Sequence, residues 1–133
     1  MRHWQPISLG ADVPAPKGAY APAVRFGDLL FVSGQVPVDV RTGELLGGDI
    51  RAQTKAVLAN LRRVLEAAGA TLDDVVAVTA YLADPDDWDA FNEAYRETFS
   101  PPYPTRTTVG AGLRGILVEV SAIAVRPDAS RGP

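Results

Sequence analysis

Apolar residues recur at spacings of three and four along Ile50, Val57, Leu58, Leu61, Val64, Leu65 and Ala68. That period marks an amphipathic helix. Asp49 stands where an N-cap belongs, and Gly69 supplies a left-handed stop. A second helical pattern follows the break at Asp84-Pro85, with Asp86 or Asp87 as its cap. Its apolar face carries Trp88, Phe91, Tyr95 and Phe99, and Pro101, Pro102 and Pro104 end it. Between the two helices, Val75–Leu82 is an apolar run that reads as a buried strand.

Shorter apolar runs lie on either side. Residues 20–24 and 29–32 are split by Gly27-Asp28, a hairpin signal. Ser33-Gly34-Gln35 interrupts the second run, residues 36–40 extend it, and Thr42-Gly43 marks a turn. Residues 1–19 are rich in Pro, Gly and Ala and are expected to run over the surface. Residues 105–125 read as two strands around the turn Gly112-Leu113-Arg114-Gly115. The element order is β-β-(β)-α-β-α-β-β, which predicts an α+β domain with two helices on one face of a mixed sheet. No helix remains to cover the other face, although 75–82 and 116–125 are apolar on both sides. A loop or another subunit must cover it, and a homo-oligomer is the favoured reading.

An arginine and a glutamate inside the last two strands need explaining, because charged residues are rarely buried unpaired. Joined as an antiparallel hairpin, these strands would set Arg106 opposite Ser121 and Thr108 opposite Glu119. All four would then share one sheet face. An arginine fork matches a carboxylate bidentately, and a neighbouring glutamate can position a water. The plainer alternative is a structural ion pair between Arg106 and Glu119.

Composition narrows the function. The chain has 133 residues, fits one domain (1–133), and is 47% hydrophobic. The segments 1–17 and 127–133 are expected to be peripheral or flexible. A net charge of −3 gives no broad attraction to nucleic acid or anionic membranes. With no cysteine there is no disulfide or thiolate site. The acidic cluster Asp84, Asp86, Asp87 and Asp89 reads as helix-start capping, not as a metal site. No signal-peptide or membrane-length apolar run is present, so the expected location is cytoplasmic.

Several motifs resemble the Rid family (reactive intermediate deaminases, YjgF-like). They are Ser33-Gly34-Gln35-Val36-Pro37, Gln53-Thr54 with Asn60-Leu61, Ala67-Ala68-Gly69-Ala70 and Leu72-Asp73-Asp74-Val75-Val76. Further matches are Phe91-Asn92-Glu93-Ala94-Tyr95, Pro104-Thr105-Arg106-Thr107 and the strand from Val118 to Ala124. The resemblance covers about residues 18 to 126. It implies a chorismate-mutase-like fold, a homotrimer with pockets between subunits, and no cofactor. It also implies hydrolysis of enamine and imine acids of the 2-aminoacrylate/2-iminopropionate type to a 2-keto acid and ammonia. The family's carboxylate-gripping arginine maps onto Arg106 and its water-handling acid onto Glu119. Its pocket tyrosine, serine and asparagine map onto Tyr20, Ser33 and Asn92, and Thr108 stands where cysteine is common. The loop between Arg106 and Glu119 is two residues shorter than usual, which places substrate choice in question. The alternative function is a non-catalytic 2-keto acid binding module in the same cleft.

Overall fold

The computed structural model describes residues 1–126. The expectation for 127–133 lies outside the described residues. The elements are β1 (Gln5–Pro6), β2 (Ala23–Phe26), β3 (Leu29–Gln35), α1 (Ile50–Ala67), β4 (Val75–Leu82), α2 (Trp88–Thr98), β5 (Thr105–Gly110) and β6 (Val118–Val125). Short 3₁₀ turns, Leu72–Asp74 and Pro85–Asp87, lead into β4 and α2. The strands form one mixed sheet in the order β1-β2-β3-β6-β4-β5, and both helices pack on one face of it.

The local signals act as expected at most boundaries. The Asp49 side chain accepts from the Ala52 N–H at 3.0 Å, capping α1. Gly69 takes φ +79° just past the helix, a region that costs other residues strain. Gly27, at φ +59°, turns β2 into β3. Residues 36–40 do not extend the strand. β3 ends at Gln35, and only an isolated Val38–Leu45 bridge follows. Pro37 has no N–H to offer a ladder. The Val36 and Val38 carbonyls instead accept from the Asn60 side-chain amide at 2.9 and 3.0 Å.

The C-terminal strands differ from the expected hairpin. β5 runs parallel to β4, and β6 runs antiparallel to β4 on its other side. β5 and β6 never pair with each other. The cause lies in β4, whose apolar side chains favour a central place between two hydrogen-bonding neighbours. The crossover through α2 delivers β5 parallel to β4. The loop from 111 to 117 then passes over the end of β4. It is pinned there by Ala111 N–H to the Leu82 carbonyl at 2.9 Å and Ala83 N–H to the Leu117 carbonyl at 3.0 Å.

The core sits between sheet and helices. Leu30, Val32, Val78, Ala80, Leu82, Val118, Val120, Ala122 and Ala124 meet Val57, Leu58, Leu61, Leu65, Phe91, Tyr95 and Phe99. Each fully buried Leu or Phe there contributes about 2 kcal/mol of apolar transfer energy. Trp88 is not part of this core. It opens α2 at the rim and stays 43% exposed. Across the helices, Arg51 bonds Glu93 and Glu97 at 2.7 Å each, and Lys55 approaches Glu97 at 3.2 Å. The opposite sheet face bears no helix. Phe26, Leu29, Phe31, Val109 and Val125 are exposed on it.

Candidate active site

Arg106 sits on β5, the edge strand, beside Val78 of β4. Val78 is buried against the helices, so Arg106 projects to the helix side. Its guanidinium lies 4.6 Å from the ring centre of Tyr95 and 5.3 Å from those of Trp88 and Phe91. Three rings around one cation offset its desolvation by cation–π attraction. No carboxylate among the described residues pairs with it.

A cavity of about 390 Å³ opens over this arginine. Trp88, Asn92 and Arg96 line it from α2, one helical turn apart on a single stripe. Tyr95, Tyr103, Pro104 and Arg106 complete the wall. Asn92 reaches the cavity because its stripe lies just beside the apolar stripe of Phe91 and Tyr95. Thr108, two residues beyond Arg106, shares its face, and its hydroxyl is buried without a partner.

Tyr95 carries a second unsatisfied group. The residue is 3% exposed, and its hydroxyl has no hydrogen-bond partner among the described residues. Burial pushes its pKa up to about 12, against the pull of the Arg106 charge and with a smaller push from Tyr103. The phenol therefore stays a neutral O–H at ordinary pH, a donor with no acceptor.

Glu119 points the other way. It neighbours Tyr81 of β4, while Val120, one residue on, is buried under the helices. Arg106 and Glu119 thus occupy opposite sheet faces, and the expected shared face of Arg106, Thr108, Glu119 and Ser121 does not form. Inserting one strand between two others changes which residues are opposed, so the hairpin parity argument fails here. The Glu119 carboxylate rests against Gly34, where an added Cβ would overlap it. Gly34 belongs to an irregularity in the β3–β6 ladder between Val32 and Gln35.

Ser33 and Tyr20 lie near that irregularity. The Ser33 hydroxyl donates to the Ala21 carbonyl at 2.7 Å, and Ser33 N–H donates to the Pro22 carbonyl at 3.0 Å. Its role within this chain is to fix the segment that carries Tyr20. Tyr20 is exposed and lines a separate groove of about 290 Å³ with Gly34, Gln35 and Lys17. The buried polar side chains of α1 hold both parts in place. Gln53 accepts from the Leu117 N–H at 2.8 Å, two residues before Glu119, while Asn60 holds the loop after Gln35.

The six residues singled out from the sequence therefore fall into two groups. Arg106, Asn92 and Thr108 stand together at the β5 edge, whereas Glu119, Ser33 and Tyr20 stand around the β3 irregularity. Sequence reasoning missed Trp88, Tyr95, Arg96 and Tyr103 as cavity residues. The available signal was the 88-92-95-96 spacing on α2, which sets polar and aromatic groups along one edge of its apolar face.

The arrangement defines an α+β domain with an arginine-lined cavity at its sheet edge. The family model described as Endoribonuclease L-PSP matches residues 10–126, and the chain belongs to this family, which includes the Rid proteins. A RutC family protein from Pyrococcus horikoshii is 43% identical over 117 residues, spanning 86% of this chain and 93% of its own. A 2-iminobutanoate/2-iminopropanoate deaminase from Dermatophagoides farinae is 37% identical, spanning 84% of this chain and 89% of its own. The crystal structure of RidA from the Antarctic bacterium Psychrobacter superposes with a TM-score of 0.83. It is 36% identical and covers 91% of this chain and 98% of that one. Among the described residues, no helix is long and apolar enough to cross a membrane.

Proposed function

We propose that this protein hydrolyses reactive 2-imino acids to 2-keto acids and ammonia, in clefts between the copies of a homotrimer. The observation that carries this reading is Arg106, a partly buried cation braced by three rings with no carboxylate partner among the described residues. Its fork is suited to the substrate carboxylate, with Asn92 and the Thr108 region beside it. The similarity to a named imine deaminase supports the choice of reaction.

An enamine first takes a proton at carbon and becomes an imine. Water then adds to the imine carbon, and the carbinolamine expels ammonia. Glu119 is assigned to hold and activate that water. Because Glu119 lies on the other sheet face, it comes from a neighbouring copy, along with Tyr20 and the Gly34 region. The apolar open face around Phe31 and Val125 is the surface on which copies would meet.

The test is ammonia release from 2-iminopropionate generated in place, comparing wild type with Arg106→Ala. Acceleration that depends on Arg106 is expected. Equal rates for the two proteins would remove Arg106 from the reaction. No acceleration, combined with calorimetric binding of 2-ketobutyrate, would favour the binding module. Light scattering reads the trimer directly.

A further inference from the structure

The cavity over Arg106 holds more positive charge than one carboxylate answers. Arg96 lines the same wall. Among the described residues its side chain makes no ion pair, hydrogen bond or ring contact. The glutamates nearest it on α2 are engaged elsewhere. Glu93 is held by Arg51, and Glu97 by Arg51 and Lys55. Among the described residues, no Asp or Glu lines the cavity.

An exposed arginine alone would be an ordinary surface residue. The second observation is Tyr95, which lines the same cavity although it is 3% exposed, and whose buried hydroxyl has no hydrogen-bond partner among the described residues. A buried donor without an acceptor costs stability, and the Asn92 amide and the Tyr103 hydroxyl add further donors to the wall. Two guanidinium groups on one wall, neither with a carboxylate partner among the described residues, call for a ligand with two anionic oxygen groups. The cavity, at about 390 Å³, is within the range of small-ligand sites.

We infer that this site selects dicarboxylic substrates, with Arg106 taking the α-carboxylate and Arg96 the side-chain carboxylate. Resting on the deaminase reading, the substrate class is the imine of an acidic amino acid. The imine carbon gains the oxygen of water, its C–N bond breaks, and nitrogen leaves as ammonium with the 2-keto dicarboxylate as product. No other co-reactant is required. Arg96 acts here as a specificity-determining residue.

The experiment compares imines of equal chain length, generated by amino-acid oxidases from glutamate and from norvaline. The readout is the ratio of their kcat/KM values. Wild type is expected to favour the glutamate-derived imine. Arg96→Gln is expected to reduce that ratio by about tenfold to a hundredfold, the effect of losing a charge-assisted hydrogen bond, and Arg96→Lys to restore part of it. A ratio at or below one, or a ratio untouched by Arg96→Gln, overturns the inference. Norvaline-derived imine turnover that needs Arg106 without any preference for the acidic imine would leave the deaminase reading standing and this inference refuted. If neither imine is hydrolysed, calorimetry with 2-oxoglutarate and 2-oxopentanoate decides. An Arg96-dependent preference for 2-oxoglutarate upholds dicarboxylate selection while the deaminase reading falls, and equal affinities refute both.

Discussion

Arg106 and Glu119 lie on opposite faces of one sheet, separated by β4, whose Val78 neighbours Arg106 and whose Tyr81 neighbours Glu119. Within a single chain the two cannot act on one substrate. The proposed site therefore needs an arginine from one copy and a glutamate from another. Arg106→Ala and Glu119→Gln should each be inactive as pure oligomers. Co-refolded in equal amounts, they should regain about a quarter of wild-type activity, since half of each side of every cleft is intact. Ammonia release from the mixed sample checks this, and a mixture as dead as its parents would place both residues in the same copy's site.

Gly34 gives the Glu119 carboxylate its resting place, because a Cβ there would overlap the acid. Gly34→Ala should displace Glu119 and lower kcat by about tenfold or more, as expected for a misplaced general base. KM should change less, because the substrate carboxylate is assigned to Arg106 of the other copy and not to Glu119. Steady-state kinetics separates the two effects, and an unchanged kcat would show that Glu119's position is not critical.

How much of this was legible beforehand depends on the range of the interaction. Both helices and Val75–Leu82 follow from local periodicity and capping, and they stand where Asp49, Gly69 and the prolines put them. The pairing of β5 and β6 was not legible from the two strands themselves. Adjacency in sequence suggests a hairpin, whereas the apolar character of β4 on both faces already argued for a strand with two neighbours. The site suffered in the same way. Tyr95 reads as a core aromatic by spacing, and its ring is indeed core, but spacing does not reveal that its hydroxyl lacks an acceptor. Trp88 shares the apolar period yet starts the helix, where the sheet no longer covers it.

Asn60 closes the loop after Gln35 with two hydrogen bonds, to the Val36 and Val38 carbonyls. Asn60→Leu keeps the volume and leaves both carbonyls without that partner. Stability should fall by about 2 kcal/mol, read as a lower denaturant midpoint with little change in m-value. A variant as stable as wild type would show that water replaces the amide at no cost.

The Tyr95 ring lies 4.6 Å from the Arg106 guanidinium. Its hydroxyl is buried and unsatisfied, so Tyr95→Phe should stabilise the empty protein by about 1 kcal/mol and weaken binding of a carboxylate ligand. Its pH dependence gives a separate signature. The folded pKa, at about 12, lies above the ordinary 10, so the unfolded chain loses the phenolic proton first. The Tyr95 contribution is therefore fully present below pH 10 and is lost as pH rises from about 10 to 12, on the order of 2 kcal/mol in all. Denaturant unfolding at pH 9 and pH 11 should show wild type losing more stability than Tyr95→Phe. Taking the difference between the proteins cancels every contribution that the two share. Parallel losses would mean that the phenol is hydrated and ionises normally, and the cavity would then lack its buried donor.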